Sequence, residues 1–136
     1  MGKYFTIEEL TKSNTAKRNG IENKPTEEQI GYLNALIDNV LDPLREAYGK
    51  PIYVNSGFRS KELNSFVGGT SSSHHLCKNG YAAADLTTKT KSGNKVLFEL
   101  AQELDLPFAE MGSEQKYAWI HISYNPNDDR GEIFYT

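Results

Sequence analysis

Between Thr26 and Gly49 the chain carries its longest stretch of helical periodicity, and this stretch limits what the rest can build. Ile30, Leu33, Ile37, Val40, Leu41 and Leu44 recur mostly at spacings of three and four, which gathers them on one face of a helix. Thr26-Glu27-Glu28-Gln29 has the form of a capping box ahead of it. Pro43 interrupts the pattern, because proline has no N–H to donate and its ring crowds the preceding turn. A kink or two abutting helices are therefore expected near Asp42. Gly49 and Pro51 close the segment. A helix with one apolar stripe has to bury it, and the partners must come from the remaining segments.

Those segments are short. Thr6-Ile7-Glu8-Glu9 is a second capping box, before a helix that fades near Ser13 or Asn14. Ile52-Tyr53-Val54-Asn55 reads as a strand ending at Ser56-Gly57. Ser60 is placed to cap a short helix carrying Leu63, Phe66 and Val67, stopped by Gly68-Gly69. Residues 81–88 read as a strand, and Val96, Leu97, Leu100, Ala101 and Leu104 mark a helix halted before Pro107. Residues 118–124 and 132–135 complete the strand candidates. Helices come mainly first and strands later, without a βαβ rhythm. This predicts an α+β fold with a small, largely antiparallel β-sheet flanked by helices.

Composition narrows the function. A chain of 136 residues with 38% hydrophobic and 24% charged residues fits one domain spanning 1–136 and is too apolar to stay disordered. A net charge of −3 argues against an electrostatic nucleic-acid binder. No apolar run approaches the ~20 residues that span a bilayer. The opening Met1-Gly2-Lys3-Tyr4-Phe5-Thr6 lacks the apolar stretch of a secretory signal. Gly2 and Thr6 match the loose myristoylation pattern, but Phe5 and Thr6 read as the start of folded structure. Cys77 is the only cysteine, so no intramolecular disulfide forms, and synthesis in a reducing compartment is expected.

Three histidines remain as carriers of chemistry. His74 and His75 sit in a Ser/Gly-rich loop, Asp85 follows on a strand, and His121 lies in the apolar run Trp119-Ile120-His121-Ile122-Ser123. Imidazole nitrogens with a carboxylate oxygen suit zinc or a similar divalent ion. Three such ligands leave a fourth position open for water, as in catalytic sites. The spacing alone equally fits a hydrogen-bonded strand histidine and two solvated loop histidines.

A series of ordered motifs bears on that choice. Ser56-Gly57-Phe58-Arg59-Ser60, Leu63-Asn64, Val67-Gly68-Gly69, Ser73-His74-His75-Leu76, Ala83-Ala84-Asp85-Leu86 and Trp119-Ile120-His121-Ile122-Ser123-Tyr124 follow one another along the chain. Together they resemble the D-alanyl-D-alanine carboxypeptidase family of zinc peptidases, in particular its short single-domain, endolysin-like members from phages and bacteria. Tyr4-Phe5-Thr6-Ile7-Glu8-Glu9-Leu10 upstream and Asp129-Arg130-Gly131-Glu132-Ile133 downstream extend the likeness over nearly the whole chain.

The resemblance implies a hedgehog/D-Ala-D-Ala-peptidase-type fold holding one zinc ion through His75, Asp85 and His121. His74 competes for the first position, since Ser72 also stands two residues before it; Leu76 after His75 matches the family's H-L and favours His75. Ser73 falls on the family's motif serine, near substrate or holding the ligand loop. Arg59 is implied as a cleft guanidinium that holds a substrate carboxylate or stabilises an oxyanion.

Two departures stand out. His75 and Asp85 are ten residues apart, where the family usually has seven, which reads as an insertion around Cys77-Lys78-Asn79-Gly80. Cys77 lies in that loop and is either a further thiolate ligand or a packing thiol. Ala118 occupies the position three before His121, where many members carry the general-base carboxylate. Phe108-Ala109-Glu110-Met111-Gly112-Ser113-Glu114 aligns with a segment of the short phage-type members and makes Glu114 the catalytic candidate, with Glu110 second.

The expected activity is hydrolysis of a peptide bond near D-alanine in peptidoglycan stem peptides, as carboxypeptidase or endopeptidase. The expected setting is a monomeric phage lytic enzyme made in the host cytoplasm and acting on the bacterial cell wall, without nucleic-acid or membrane partners. The rival is a zinc-stabilised module that binds peptidoglycan or sits in a virion without cutting; Ala118 and the altered loop are the features that keep it open.

Overall fold

Local caps at Thr6 and Thr26 start helices where the sequence places them. The structure, a computed structural model, describes residues 3–136, so Gly2 of the myristoylation pattern lies outside the described residues. Thr6 Oγ1 accepts from the Glu9 N–H and opens α1 (Ile7–Thr11). Ser13 does the same for α2 (Asn14–Arg18), a separate helix where the sequence suggests only a fading end to α1. The Thr26–Gln29 box is made in both directions and begins α3 (Glu27–Leu36).

The break expected near Asp42 takes the form of a π-helical turn over Ile37–Leu41. There the Asp42 N–H bonds to Ile37 O, five residues back, and α4 (Asp42–Tyr48) continues with Pro43 in its first turn. The wider turn relieves the crowding a proline causes in an α-helix. Leu33, Leu36, Ile37, Val40, Leu41 and Leu44 all stay buried. Gly49, at φ 76°, ends α4 in the left-handed conformation that glycine adopts without strain.

Five strands follow: β1 (Tyr53–Ser56), β2 (Ala82–Thr87), β3 (Glu110–Glu114), β4 (Trp119–Tyr124) and β5 (Glu132–Tyr135). Their order is β1-β2-β4-β3-β5, antiparallel except for the β3–β5 pair. α5 (Lys61–Phe66) lies between β1 and β2, and α6 (Lys91–Glu103) between β2 and β3. The result is an open, mostly antiparallel sheet with helices, the α+β class the sequence predicts. β3 is an addition to the expected strands.

Successive strand residues point to opposite faces. Ala82, Ala84 and Leu86 of β2, Met111 of β3 and Ile120, Ile122 and Tyr124 of β4 join the buried core with α3, α4 and α6. The alternate residues, Asp85, His121, Ser123 and Phe134 among them, face the other way. Two helical expectations shift: Phe66 and Val67 are 56% and 47% exposed rather than packed, and in α6 Phe98 is buried while Val96 is 48% exposed. Among the described residues no helix is long and apolar enough to cross a membrane.

Candidate metal centre and its cleft

The register of three strands builds the floor of the site. Asp85 pairs with His121, and His121 with Gly112, so the two polar side chains and the glycine form one row across β2, β4 and β3. The Phe134 ring lies over Gly112, where a Cβ would collide with it, and its centroid is 5.9 Å from the His121 ring.

His75 arrives from a separate element, a 3₁₀ turn at His74–Leu76. Ser73 Oγ caps that turn by accepting from the His75 N–H at 3.2 Å. His75 O accepts from the Arg59 N–H at 2.8 Å, and His75 Nδ1–H donates to Gly57 O at 2.7 Å. Gly57 has no room for a Cβ because Leu10 O is against it, and Phe58 N–H donates to that same oxygen. The Ser56–Ser60 motif is thus a backbone brace joining α1, β1 and the histidine turn.

His75 Nε2 and His121 Nδ1 each lie 3.1 Å from Asp85 Oδ1. One donor atom from each residue falls within 4.8 Å of the others, and all three residues are buried. Burial alone would raise the Asp85 pKa, but His75 and His121 outweigh it and hold the carboxyl well below the usual carboxylate range. Burial likewise pushes the His121 pKa down, while hydrogen bonds to Asp85 and Glu110 pull it up, to about 9. The Asp85 and Glu110 carboxylates on either side of the His121 ring give the pocket the negative potential a divalent cation needs. The donor set of two imidazole nitrogens and one carboxylate oxygen fits zinc.

The same cleft, of about 620 Å³, is lined by Arg59, Ser73, Glu110, Glu114, Trp119 and Phe134 besides the donor set. Arg59 Nη2 is 3.8 Å from Asp85 Oδ2, and Arg59 Nη1–H donates to Asn64 Oδ1 at 3.2 Å. Glu114 projects from β3 beside Trp119 of β4 and accepts from the Thr136 hydroxyl at 3.0 Å.

Glu110 has a role that no sequence motif signals. Its Oε1 accepts from His121 Nε2–H at 2.9 Å and lies 3.2 Å from His74 Nδ1, and His121 lowers its pKa. His74 sits outside the donor set: it is 2.8 Å from Ser123 Oγ and stacked on Tyr81 at 3.9 Å. Burial, outweighing Glu110, pushes its pKa down.

Cys77 belongs to the core cluster rather than to the donor set. Of the two roles open to it, packing is the one the structure displays. The long loop after it is held by contacts distant in sequence: Asn125 Nδ2–H donates to Asn79 O at 2.9 Å, and the Tyr81 hydroxyl donates to Asp128.

An open α+β sheet with a His–Asp–His set at the bottom of a cleft has the architecture of a metal-dependent hydrolase. A family model described as Peptidase M15 matches residues 3–123, and the chain belongs to that family of peptidases. M15 peptidases are zinc-dependent. The matched span contains the donor set together with Arg59, Ser73, Glu110 and Glu114. No curated protein matches the chain.

Proposed function

We propose that the chain is a zinc-dependent peptidase of bacterial peptidoglycan, with His75, Asp85 and His121 as metal ligands. The observation that carries this reading is the state of the two imidazoles. His75 is hydrogen-bonded through Nδ1 to Gly57 O and His121 through Nε2 to Glu110, which directs the remaining nitrogens at Asp85 Oδ1. Outer partners of this kind fix the ring tautomer of metal-binding histidines.

Zinc held by His75, Asp85 and His121 would supply Lewis-acid polarisation of the scissile carbonyl and a water of lowered pKa. Glu114 is the carboxylate that would take a proton from the attacking water and return it to the leaving amine. Its place in the cleft, at the end of β3 where the Ala118 N–H donates to its carbonyl, sets a carboxylate beside the position Ala118 leaves without one and supports this role. Arg59 pairs with a substrate carboxylate or with charge developing on the carbonyl oxygen. Ser73 holds the histidine turn, and Glu110 orients His121.

The substrate is a stem peptide cut near D-alanine, at its end or internally, by a monomer of the phage endolysin type made in the host cytoplasm and acting on the cell wall. The ordered motifs from Ser56 to Tyr124 support this finer reading. Mass spectrometry of muropeptides after digestion of purified sacculi tests it. The expected result is new stem-peptide products that disappear on chelation and return with zinc. Zinc-loaded protein that sediments with sacculi and releases nothing is a binding module instead.

A further inference from the structure

We propose that the groove between α1–α2 and the outer edge of β1 is a second substrate subsite, which holds an acidic stretch of stem peptide beyond the bond lying in the metal cleft. The inference rests on the peptidoglycan reading above. The groove, of about 650 Å³, is as large as the cleft and shares Arg59 with it. An occupant that filled both would pass Arg59 on its way from the cleft into the groove.

Three features say what that occupant is. β1 is an edge strand, partnered in the sheet only by β2, and Tyr53–Ser56 line the groove. An extended chain lying there meets a strand edge with peptide groups to spare. The walls are cationic: exposed Lys12 and Arg18 face the groove with Arg59 at its junction, against the single acid Glu9. Tyr53 and Val67, 41% and 47% exposed, add apolar surface. Stem peptides match this, since they alternate small methyl side chains with free carboxylates. Reach is also consistent. Ser56 pairs with Asp85 across strands that run ~4.8 Å apart, so two or three extended residues at ~3.3 Å each cover the distance.

Isothermal titration with the tripeptide L-Ala-γ-D-Glu-meso-diaminopimelate, which has no D-alanine bond to cut, tests the subsite. The arms are the zinc-loaded wild type, K12A/R18A, and the tripeptide with its carboxylates amidated. Each change alone should weaken binding about tenfold, the size of two exposed ion pairs, and the two together no more than either. Amide resonances of residues 53–56 should shift with the tripeptide in the wild type. K12Q/R18Q, with its melting temperature recorded, controls for folding.

Unchanged tripeptide affinity in both double variants overturns the subsite and leaves the proposed function standing. Wild-type protein that cleaves sacculi but does not bind the tripeptide likewise overturns the subsite alone. Protein that neither binds tripeptide nor cleaves sacculi overturns both.

Discussion

Glu110 Oε1 lies 2.9 Å from Nε2 of His121, on the far side of a ring whose Nδ1 is 3.1 Å from Asp85 Oδ1. Strands β3 and β2 flank β4, so each contributes one carboxylate to the imidazole between them. A carboxylate on the outer nitrogen fixes tautomer and orientation, and losing such a partner typically costs about 10–100-fold in metal affinity. Glu110→Ala should lower zinc affinity by about that factor, and Glu110→Gln, which keeps an acceptor oxygen, by less. Competition with a chromophoric chelator measures both. Unchanged affinity with lost turnover would make Glu110 the proton carrier instead.

Glu114 should behave in the opposite way. Glu114→Gln keeps the size of the side chain and removes its capacity to take a proton. The expected result is a kcat reduced by about 10²–10⁴, with KM and zinc content unchanged. Wild-type turnover in this variant would remove Glu114 from the chemistry.

These assignments separate what local sequence encodes from what it does not. Thr6, Ser13, Thr26 and Ser60 each accept a hydrogen bond from a backbone N–H three residues on, a contact written within a few residues of sequence. β3 was illegible because Glu110-Met111-Gly112-Ser113-Glu114 has little strand propensity of its own. It is a strand because β4 and β5 pair with it on both sides, and its glycine and two glutamates serve the cleft. Phe66 and Val67 fit a helical stripe, yet they fall on the last residue and the C-cap of α5 and stay exposed there. His75, Asp85 and His121 were legible as donor types through the ordered motifs, while their convergence depends on sheet register and on the Gly57 brace. The outer partner Glu110 carried no spacing signal, since it reaches His121 across a strand pair.

Zinc should stabilise the fold measurably. A ligand bound only by the folded state at one hundred times its Kd adds about 2.7 kcal/mol. For a chain of this size that corresponds to a rise in Tm of several degrees. Differential scanning calorimetry with chelator and with added zinc should show it, and His121→Ala should lose it. An identical Tm in both conditions, with no zinc by elemental analysis, would remove the metal from the account.

Gly57→Ala probes the brace. The added methyl has no space beside Leu10 O, and overpacking a tight contact costs about 1–3 kcal/mol. Because Gly57 O also accepts from His75 Nδ1–H, the variant should lose zinc affinity as well as stability, in chelator competition and urea denaturation respectively. Loss of stability with full zinc affinity would show that the His75 ring is held by other contacts.

Cys77 gives a test at high pH. Burial pushes its thiol pKa up to about 12, whereas an unfolded cysteine titrates near ~8.5. At pH 8 the native protein then carries a thiolate fraction of about 10⁻⁴, so a disulfide reagent should react slowly until urea unfolds the chain. The sign of the stability effect follows. Above the unfolded pKa the unfolded chain has released a proton that the folded chain retains, so stability declines as pH rises toward 12. Below the unfolded pKa the contribution is fully present. Urea midpoints measured from pH 8 to 10.5 should fall more steeply for the wild type than for Cys77→Ala, whose difference isolates this group from the titrating tyrosines. Native thiol reacting as fast as unfolded thiol would place Cys77 at the surface and reopen its candidacy as a zinc ligand.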